Sequence, residues 1–163
     1  MDDRQRGAVL STVPAILEQQ AFLFADPLPE GGFKAGGGEY LAASLVFEGP
    51  SRGGALAAVP ESLARELAAN LLGAEPGDET AAEHAADALG EFLNVACGHL
   101  LTTLFGTGPV FNLGAPRIFG FPSAVADLLA RKSDVLAFEV DGVPILFQAC
   151  FCAPFAPEEI DHA

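Results

Sequence analysis

The chain of 163 residues carries 22 acidic and 8 basic residues, a formal net charge of -14 at pH 7, and half of its residues are hydrophobic. A chain of this length and apolar content fits one domain, so residues 1–163 are expected to form a single unit around one core. The negative charge would repel a phosphate backbone and an anionic lipid surface alike, which argues against binding to nucleic acid or to a membrane.

The amino-terminal segment predicts a helix over residues 10–24, where large apolar residues recur at helical spacing. Two aspartates open the chain, and Pro14 and Glu18 interrupt the apolar stretch, which is unlike a secretory signal peptide. We therefore expect a cytoplasmic protein. The glycine-rich stretch over residues 26–40 predicts a flexible connector, since no phosphate-loop motif accompanies it.

Two strands and a helix are predicted next. Apolar residues alternate over residues 40–49, and the turn sequence GPSRGG leads into a second strand over residues 55–59, which together indicate a hairpin. A helix then runs from Pro60, whose missing N–H costs nothing at a helix start, to Gly73.

The second half repeats this plan of a helix followed by extended segments. A long helix is predicted from Thr80, which forms a capping box with Glu83, to Gly106. Residues 109–121 are expected to be extended and residues 123–132 to form a short helix. The Asp141-Gly142 turn predicts a hairpin between strands over residues 135–140 and 143–151, followed by a loose tail over residues 153–163.

Two further features concern membranes and thiols. Residues 92–116 carry no formal charge when His99 is taken as neutral, but Asn94, His99, several glycines and Pro109 break the run, so we do not expect a membrane span. The cysteines are odd in number and show no paired spacing, which supports neither a disulfide framework nor a zinc site. We expect all three to be buried thiols: Cys97, Cys150 and Cys152.

The predicted long helix has two distinct faces at about 100° per residue. Asp87, Glu91 and Asn94 fall on one side within two turns, and small or apolar residues continue that side. A face meant only for solvent more often alternates lysine with glutamate, yet no lysine or arginine occurs between Glu66 and Arg117. The pattern is typical of a docking surface, although periodicity alone also fits a solvated face. The core side is predicted to carry Leu89, Leu93, Ala96, Leu100 and Leu104.

The polar residues of this face suggest a chemistry. The amide of Asn94 is neutral and both donates and accepts hydrogen bonds, so it could hold a water in line with a phosphoryl group without adding a repelling charge. Glu91 would be a poor neighbour for a phosphate, but it could pair with a lysine of a partner protein and fix the docking register.

The stretch DALGEFLN, from Asp87 to Asn94, resembles the D/S-x3-E-x2-N signature of the CheC/CheX/FliY family of chemotaxis phosphatases. Pro116 follows Asn94 at a spacing one residue shorter than the family usually has. The resemblance implies an α+β, CheC-like fold. In it, two pseudo-symmetric helix-plus-strands halves form an antiparallel-rich sheet with two long helices packed on it.

The resemblance also implies a hydrolase that dephosphorylates a CheY-like response regulator in chemotaxis or related two-component signalling. Glu91 would bridge to the regulator's lysine and Asn94 would orient the attacking water. Asp87 and Gly98 would join them in binding the partner, and Pro116 would hold the helix–strand junction. The domain would need no cofactor of its own, because the regulator brings Mg²⁺, and CheX-like members tend to form homodimers.

A weak repeat in the first helix bears on the number of sites. Pro14, Glu18 and Ala21 stand at the same mutual spacing as the signature residues, but only the glutamate is common to both sets. Two unrelated amphipathic helices would give the same pattern. Within the resemblance, the missing acid and asparagine imply a single working site, as in CheX-like members.

Two other functions remain open. A non-catalytic binding module would dock a response regulator or a flagellar switch component without hydrolysis, and the presence of Asn94 favours catalysis over it. A metal-dependent enzyme would use His84, Asp87 and Glu91, which share a helix face but lack the enclosed, supported setting of a catalytic metal. A serine hydrolase is not indicated, since no G-x-S-x-G motif occurs.

Overall fold

The computed structural model describes residues 1–75 and 77–152, so the predicted tail lies outside the described residues. Its elements follow in the order α1 (Asp3–Ala21), β1 (Ala25–Pro27), β2 (Glu39–Glu48), β3 (Arg52–Pro60), α2 (Glu61–Leu72), α3 (Glu79–Glu83), α4 (Ala85–Phe105), β4 (Asn112–Leu113), β5 (Arg117–Pro122), α5 (Ser123–Leu129), β6 (Val135–Val140) and β7 (Val143–Cys152).

The seven strands form one sheet in which every neighbouring pair is antiparallel. The hairpins β2–β3 and β6–β7 meet through β3 and β7, β1 lies beside β6, and β4 and β5 both pair with β2. From one edge to the other, the strands lie in the order β1-β6-β7-β3-β2, and β4 and β5 follow beyond β2. Exchanging β1 with β5, β2 with β6 and β3 with β7 gives the same order read from the opposite edge. The predicted antiparallel-rich sheet built from two similar halves is therefore confirmed.

The main core lies between this sheet and the helices α1, α2 and α4. The two long helices, α1 and α4, pack side by side as predicted, and the Arg4 guanidinium donates a hydrogen bond to the carbonyl of Leu104, which joins the start of one helix to the end of the other. A smaller apolar cluster on the opposite face of the sheet packs against α5. Helix α4 thus spans the core and presents one side outward.

Helix α1 begins and ends earlier than the predicted helix over residues 10–24, because it runs from Asp3 to Ala21. Asp2 accepts a hydrogen bond from the backbone N–H of Gln5 at 2.7 Å, and the Gln5 side chain accepts one in return, which completes a capping box. Pro14 lies within the helix. Phe22 ends it in the left-handed conformation, with a φ of 54°.

Two further predictions are wrong. The single long helix is two helices, α3 and α4, which separate at His84 with a φ of -102° and a ψ of 5°. The cap of α3 is Asp78, whose side chain accepts from the N–H of Thr80 at 3.1 Å, so Thr80 is not the capping residue. The short strand β1 also lies in the segment predicted as a connector, where Ala25 pairs with Val140.

The hairpin between β6 and β7 is confirmed. Asp141 and Gly142 have φ values of 50° and 80°, the left-handed pair that a tight two-residue turn requires.

Among the described residues, α4 is the one helix that is long and apolar enough to cross a membrane, with a mean hydropathy of 1.2. This result rests on length and composition alone, and 56% of the apolar stretch of α4 is buried inside the protein. A core helix has the same properties, which agrees with the place of α4 beneath the sheet.

Candidate functional site

The signature residues lie on the outward side of α4. Asp87, Glu91 and Asn94 are exposed, whereas Leu89 and Leu93 are fully buried. The other residues predicted on the core side, Ala96, Leu100 and Leu104, are buried as well. The predicted orientation of α4 is therefore confirmed. Burial of the side that carries the leucines turns the side with Asp87, Glu91 and Asn94 toward solvent.

An open cleft of about 320 Å³ lies between α4 and the segment that enters β5. Helix α4 supplies the floor and one rim, and the segment supplies the opposite wall. The residues that line the cleft are Ala86, Asp87, Gly90, Glu91, Asn94, Pro116 and Ile118. The three polar signature residues thus share one concave surface with Pro116.

Pro116 lies directly across the cleft from Gly90. A Cβ atom placed on Gly90 would be 3.4 Å from Pro116 Cβ and 3.5 Å from Ile118 Cδ1, so the wall approaches the helix to within one methyl group. Pro116 immediately precedes β5, a position where its missing N–H removes no hydrogen bond from the sheet. The shorter spacing after Asn94 still brings this proline against the helix that carries the signature.

The cleft is acidic on the rim formed by Asp87 and Glu91. In the described part of the chain, neither carboxylate forms a salt bridge, so both can accept hydrogen bonds from a cation on another molecule. Two carboxylates would repel a free phosphate, whereas a protein that brings its own lysine or metal ion would be attracted. The charges favour docking of a protein over capture of a small anion.

Asn94 lies one turn beyond Glu91 and ends the polar row of the cleft. Across the residues that the structure describes, its amide has no hydrogen-bond partner, which leaves two N–H donors and a carbonyl acceptor available. Such a group can orient a water molecule toward an electrophile that a partner places in the cleft.

The alternative of a resident metal receives no geometric support. Among the residues searched, 1–75 and 77–152, no three His, Cys, Asp or Glu side chains are grouped as ligands. His84 is exposed, and its Nδ1 lies 2.8 Å from the backbone carbonyl of Thr80.

The thiols differ from the prediction. Cys97 is buried, and burial raises the pKa of its thiol to about 12, but Cys150 and Cys152 are exposed. Outer positions of β7 alternate with core positions, so both cysteines fall on the solvent side. Partial burial and a hydrogen bond to Asp134 at 2.7 Å raise the pKa of Cys150 to about 11, which makes it a weak nucleophile at neutral pH.

Gly98 and the first-helix residues Glu18 and Ala21 lie outside the cleft. Gly98 follows Asn94 by one turn, and a Cβ atom placed there would meet nothing within 4 Å. In the first helix, Glu18 is exposed, but Ala21 is fully buried and its carbonyl accepts a hydrogen bond from Asn70 at 2.7 Å. The α1 position that corresponds to Asn94 is therefore closed to a partner.

Three cleft residues were not predicted. Ala86 and Gly90 stand at i-8 and i-4 from Asn94, so the helical spacing could have identified them as a row of small residues leading to the amide. Ile118 has no such signal, because only the folded sheet brings β5 beside α4.

Comparison with known proteins gives a family match over the region of the cleft. A family model described as chemotaxis phosphatase CheX matches residues 41–127, more than half of the chain. No curated protein sequence gives a significant match.

Several solved structures share the fold over nearly the whole chain. CheX from Vibrio vulnificus is 19% identical with a TM-score of 0.69, and the match covers 93% of this chain and 100% of that one. CheX from Desulfovibrio desulfuricans is 14% identical with a TM-score of 0.67, covering 91% and 99%. A chain of the CheX-CheY-BeF3-Mg+2 complex from Borrelia burgdorferi is 19% identical with a TM-score of 0.65, covering 90% and 97%. At these identities the likeness concerns the fold.

Proposed function

The chain belongs to the CheX chemotaxis phosphatase family, and from this premise we propose that it hydrolyses the aspartyl phosphate of a CheY-like response regulator. The observation that carries the proposal is the cleft on α4, where the exposed side chains of Glu91 and Asn94 stand one turn apart and have no ion-pair or hydrogen-bond partner among residues 1–75 and 77–152. Both side chains are free to engage a docked molecule.

In the proposed reaction, Asn94 holds a water molecule in line with the bond between phosphorus and the aspartate oxygen. The water oxygen attacks phosphorus, that bond breaks, and inorganic phosphate leaves as the regulator's carboxylate is restored. A neutral amide suits this role, because it orients the water through hydrogen bonds without repelling the anionic phosphoryl group. Holding the water in place removes much of the entropic cost of bringing the reactants together.

Glu91 fixes the register of docking in this proposal. Its carboxylate would accept a charge-assisted hydrogen bond from the lysine of the regulator, and Asp87, one turn earlier on the same rim, would add attraction. Gly98 would let the partner approach α4 beyond Asn94, since the space beside it is open. Pro116 would keep the wall of the cleft against the helix.

The regulator would bring the Mg²⁺ ion, and this chain would supply position alone. The relative from Borrelia burgdorferi was solved with CheY, BeF3 and Mg+2. The acidic rim and the free amide of the present cleft suit a partner that carries its own lysine and metal ion. Chemotaxis or a related two-component circuit in the cytoplasm is the setting in which this chemistry has a use.

We also propose that the domain forms a homodimer. Within the described part of the chain, β5 pairs only with β2, so its other edge can accept a strand, and Phe119 on this strand is 42% exposed. Light scattering at several concentrations would give twice the chain mass, and a monomer at all concentrations would contradict the dimer.

The function is tested by phosphate release. The purified protein is mixed with several phosphorylated receiver domains in Mg²⁺, and the lifetime of each aspartyl phosphate is timed with and without the protein. We expect a shorter lifetime for at least one receiver. If a receiver binds but keeps its unassisted lifetime, the protein is a binding module instead.

A further inference from the structure

The carboxyl end of α1 carries a phenylalanine in a conformation that favours glycine. Phe22 has a φ of 54°, and this left-handed residue turns the chain out of the helix. The Phe22 N–H donates to the carbonyl of Glu18 at 3.1 Å, and the next N–H, that of Leu23, donates to the carbonyl of Leu17 at 3.2 Å. A bulky side chain adopts this conformation at a cost, whereas glycine adopts it freely.

Helix α2 ends in the same way but with the usual residue. Gly73 has a φ of 67°, and the Ala74 N–H donates to the carbonyl of Ala69 at 2.9 Å. A glycine in place of Phe22 would therefore end α1 equally well. Packing of the phenyl ring does not offset the strain, because Phe22 is 75% exposed. Backbone strain without a packing reason is typical of positions that bind another molecule.

The ends of α1 and α2 meet, and other exposed apolar residues lie at this junction. The Asn70 side chain donates a hydrogen bond at 2.7 Å to the carbonyl of Ala21, the residue before Phe22. Ten large apolar residues are exposed in the described part of the chain. Four of them belong to the junction and are called the Phe22 patch: Phe22, Phe24, Leu71 and Leu72. Exposed apolar side chains concentrated in this way are typical of an interaction surface.

The charges around the Phe22 patch are of one sign. Glu18, Asp26 and Glu75 are exposed on the segments that form the patch, and residues 7–33 and 66–116 contain no lysine or arginine. Within residues 1–75 and 77–152, none of these three carboxylates forms a salt bridge. A second copy of this chain, with its own net charge of -14, would be repelled here, whereas a cationic partner would be attracted.

We propose that the Phe22 patch binds a basic amphipathic helix of a partner protein. The N–H groups of Phe22 and Leu23 are already bonded within α1, so the patch offers side chains and not backbone donors. A helix suits such a surface, because its own backbone groups are satisfied and its apolar side chains share one face. Lysine or arginine beside that face would meet the carboxylates around the patch.

Phe22 is the anchor of this interaction, since it is the most exposed residue of the patch and aromatic anchors carry a large share of binding energy. None of the four patch residues lines the cleft on α4. The partner helix therefore binds at a second surface, and the inference goes beyond the proposed phosphatase activity.

The first test uses two synthetic peptides. The Leu/Lys peptide has leucines at helical spacing on one face and lysines on the other, and the Leu/Glu peptide has glutamates in place of the lysines. Both are labelled with fluorescein, and fluorescence anisotropy with the full chain gives each Kd. We expect the Leu/Lys peptide to bind at least about tenfold more tightly. No binding of the Leu/Lys peptide, or equal binding of the two peptides, would overturn the proposal.

Two variants then locate the binding surface. Phe22→Gly removes the ring and keeps the left-handed end of α1. Leu128→Ala is the control, because Leu128 is 62% exposed on α5, which packs on the opposite face of the sheet. Phe22→Gly should raise the Kd of the Leu/Lys peptide about tenfold or more, and Leu128→Ala should leave it unchanged. An unchanged Kd in Phe22→Gly, or an equal rise in both variants, would show binding by net charge alone and would overturn the proposal.

The Phe22→Gly variant should keep the fold and the oligomeric state of the wild type. We expect it to melt at the wild-type temperature or above it, because glycine relieves the left-handed strain. A lower melting temperature would show that the ring supports the fold, which would overturn the proposal. Light scattering should give the same mass for both proteins. A lower mass for Phe22→Gly would show that a second copy of the chain covers the patch, and this result would also overturn the proposal.

Discussion

Replacement of Asn94 separates the catalytic proposal from a purely structural account of α4. Asn94→Ala deletes the amide, and Asn94→Asp keeps its shape while adding a negative charge. The side chain is exposed and lies opposite Leu89 and Leu93, which are fully buried. An exposed change of this kind usually alters the free energy of unfolding by no more than about 0.5 kcal/mol.

The expected loss of activity is far larger than the change in stability. Removing one preorganised hydrogen-bonding group from a reaction site typically lowers the rate by about 10²- to 10³-fold, or roughly 3–4 kcal/mol in the barrier. Asn94→Asp should be about as damaging as Asn94→Ala. A carboxylate there would lose both N–H donors and would join Asp87 and Glu91 in repelling the phosphoryl group.

The measurement pairs thermal melting with the rate of phosphate release from one phosphorylated receiver. We expect both variants to melt near the wild-type temperature and to lose almost all activity. Wild-type rates in both variants would refute the assignment of Asn94 and leave the binding module standing. A collapse of the melting temperature would mean that the side chain supports the fold.

Three further predictions follow from the same geometry. Glu91→Ala should slow receiver dephosphorylation about tenfold or more, as expected for the loss of a close interfacial charge pair. Glu18→Ala should not slow it, because the neighbouring Ala21 is buried. Equal losses of rate in the two variants would show a second working site. Leu93→Ala should lower the free energy of unfolding by about 2–5 kcal/mol in a denaturant titration, since the side chain is fully buried; a smaller loss would contradict the core side of α4. Cys97 should react with a thiol reagent only after unfolding, because burial raises the pKa of its thiol to about 12. Mass spectrometry of the native protein after labelling checks this. A modified Cys97 would contradict its burial.

The sequence was most informative where one physical pattern dominates. The leucine row of α4 recurs at helical spacing over many turns, so it fixed which side faces the core and which side carries Asp87, Glu91 and Asn94. The Asp141-Gly142 turn was equally clear, since few residues adopt two consecutive left-handed conformations. Strong local preferences of this kind survive in the folded chain.

Other features depend on tertiary structure. No glycine or proline marks the break between α3 and α4 at His84. Strand β1 is difficult to predict because it is only three residues long and ends in a proline. The outward direction of Cys150 and Cys152 follows from which face of the sheet the helices cover. The wall of the cleft comes from β5, which follows α4 at a distance along the chain that no periodicity reveals.

In the proposed complex, Asn94 and Glu91 reach into the phosphorylation site of a receiver domain. A crystal structure of this protein with a receiver that carries Mg²⁺ and beryllofluoride tests it most directly. We expect the receiver to occupy the cleft, with the Asn94 amide about 3 Å from a water or fluoride in line with the beryllium, and the Glu91 carboxylate about 3 Å from the receiver's lysine. A receiver bound to any other surface, with the cleft empty, would contradict the proposed roles of Asn94 and Glu91.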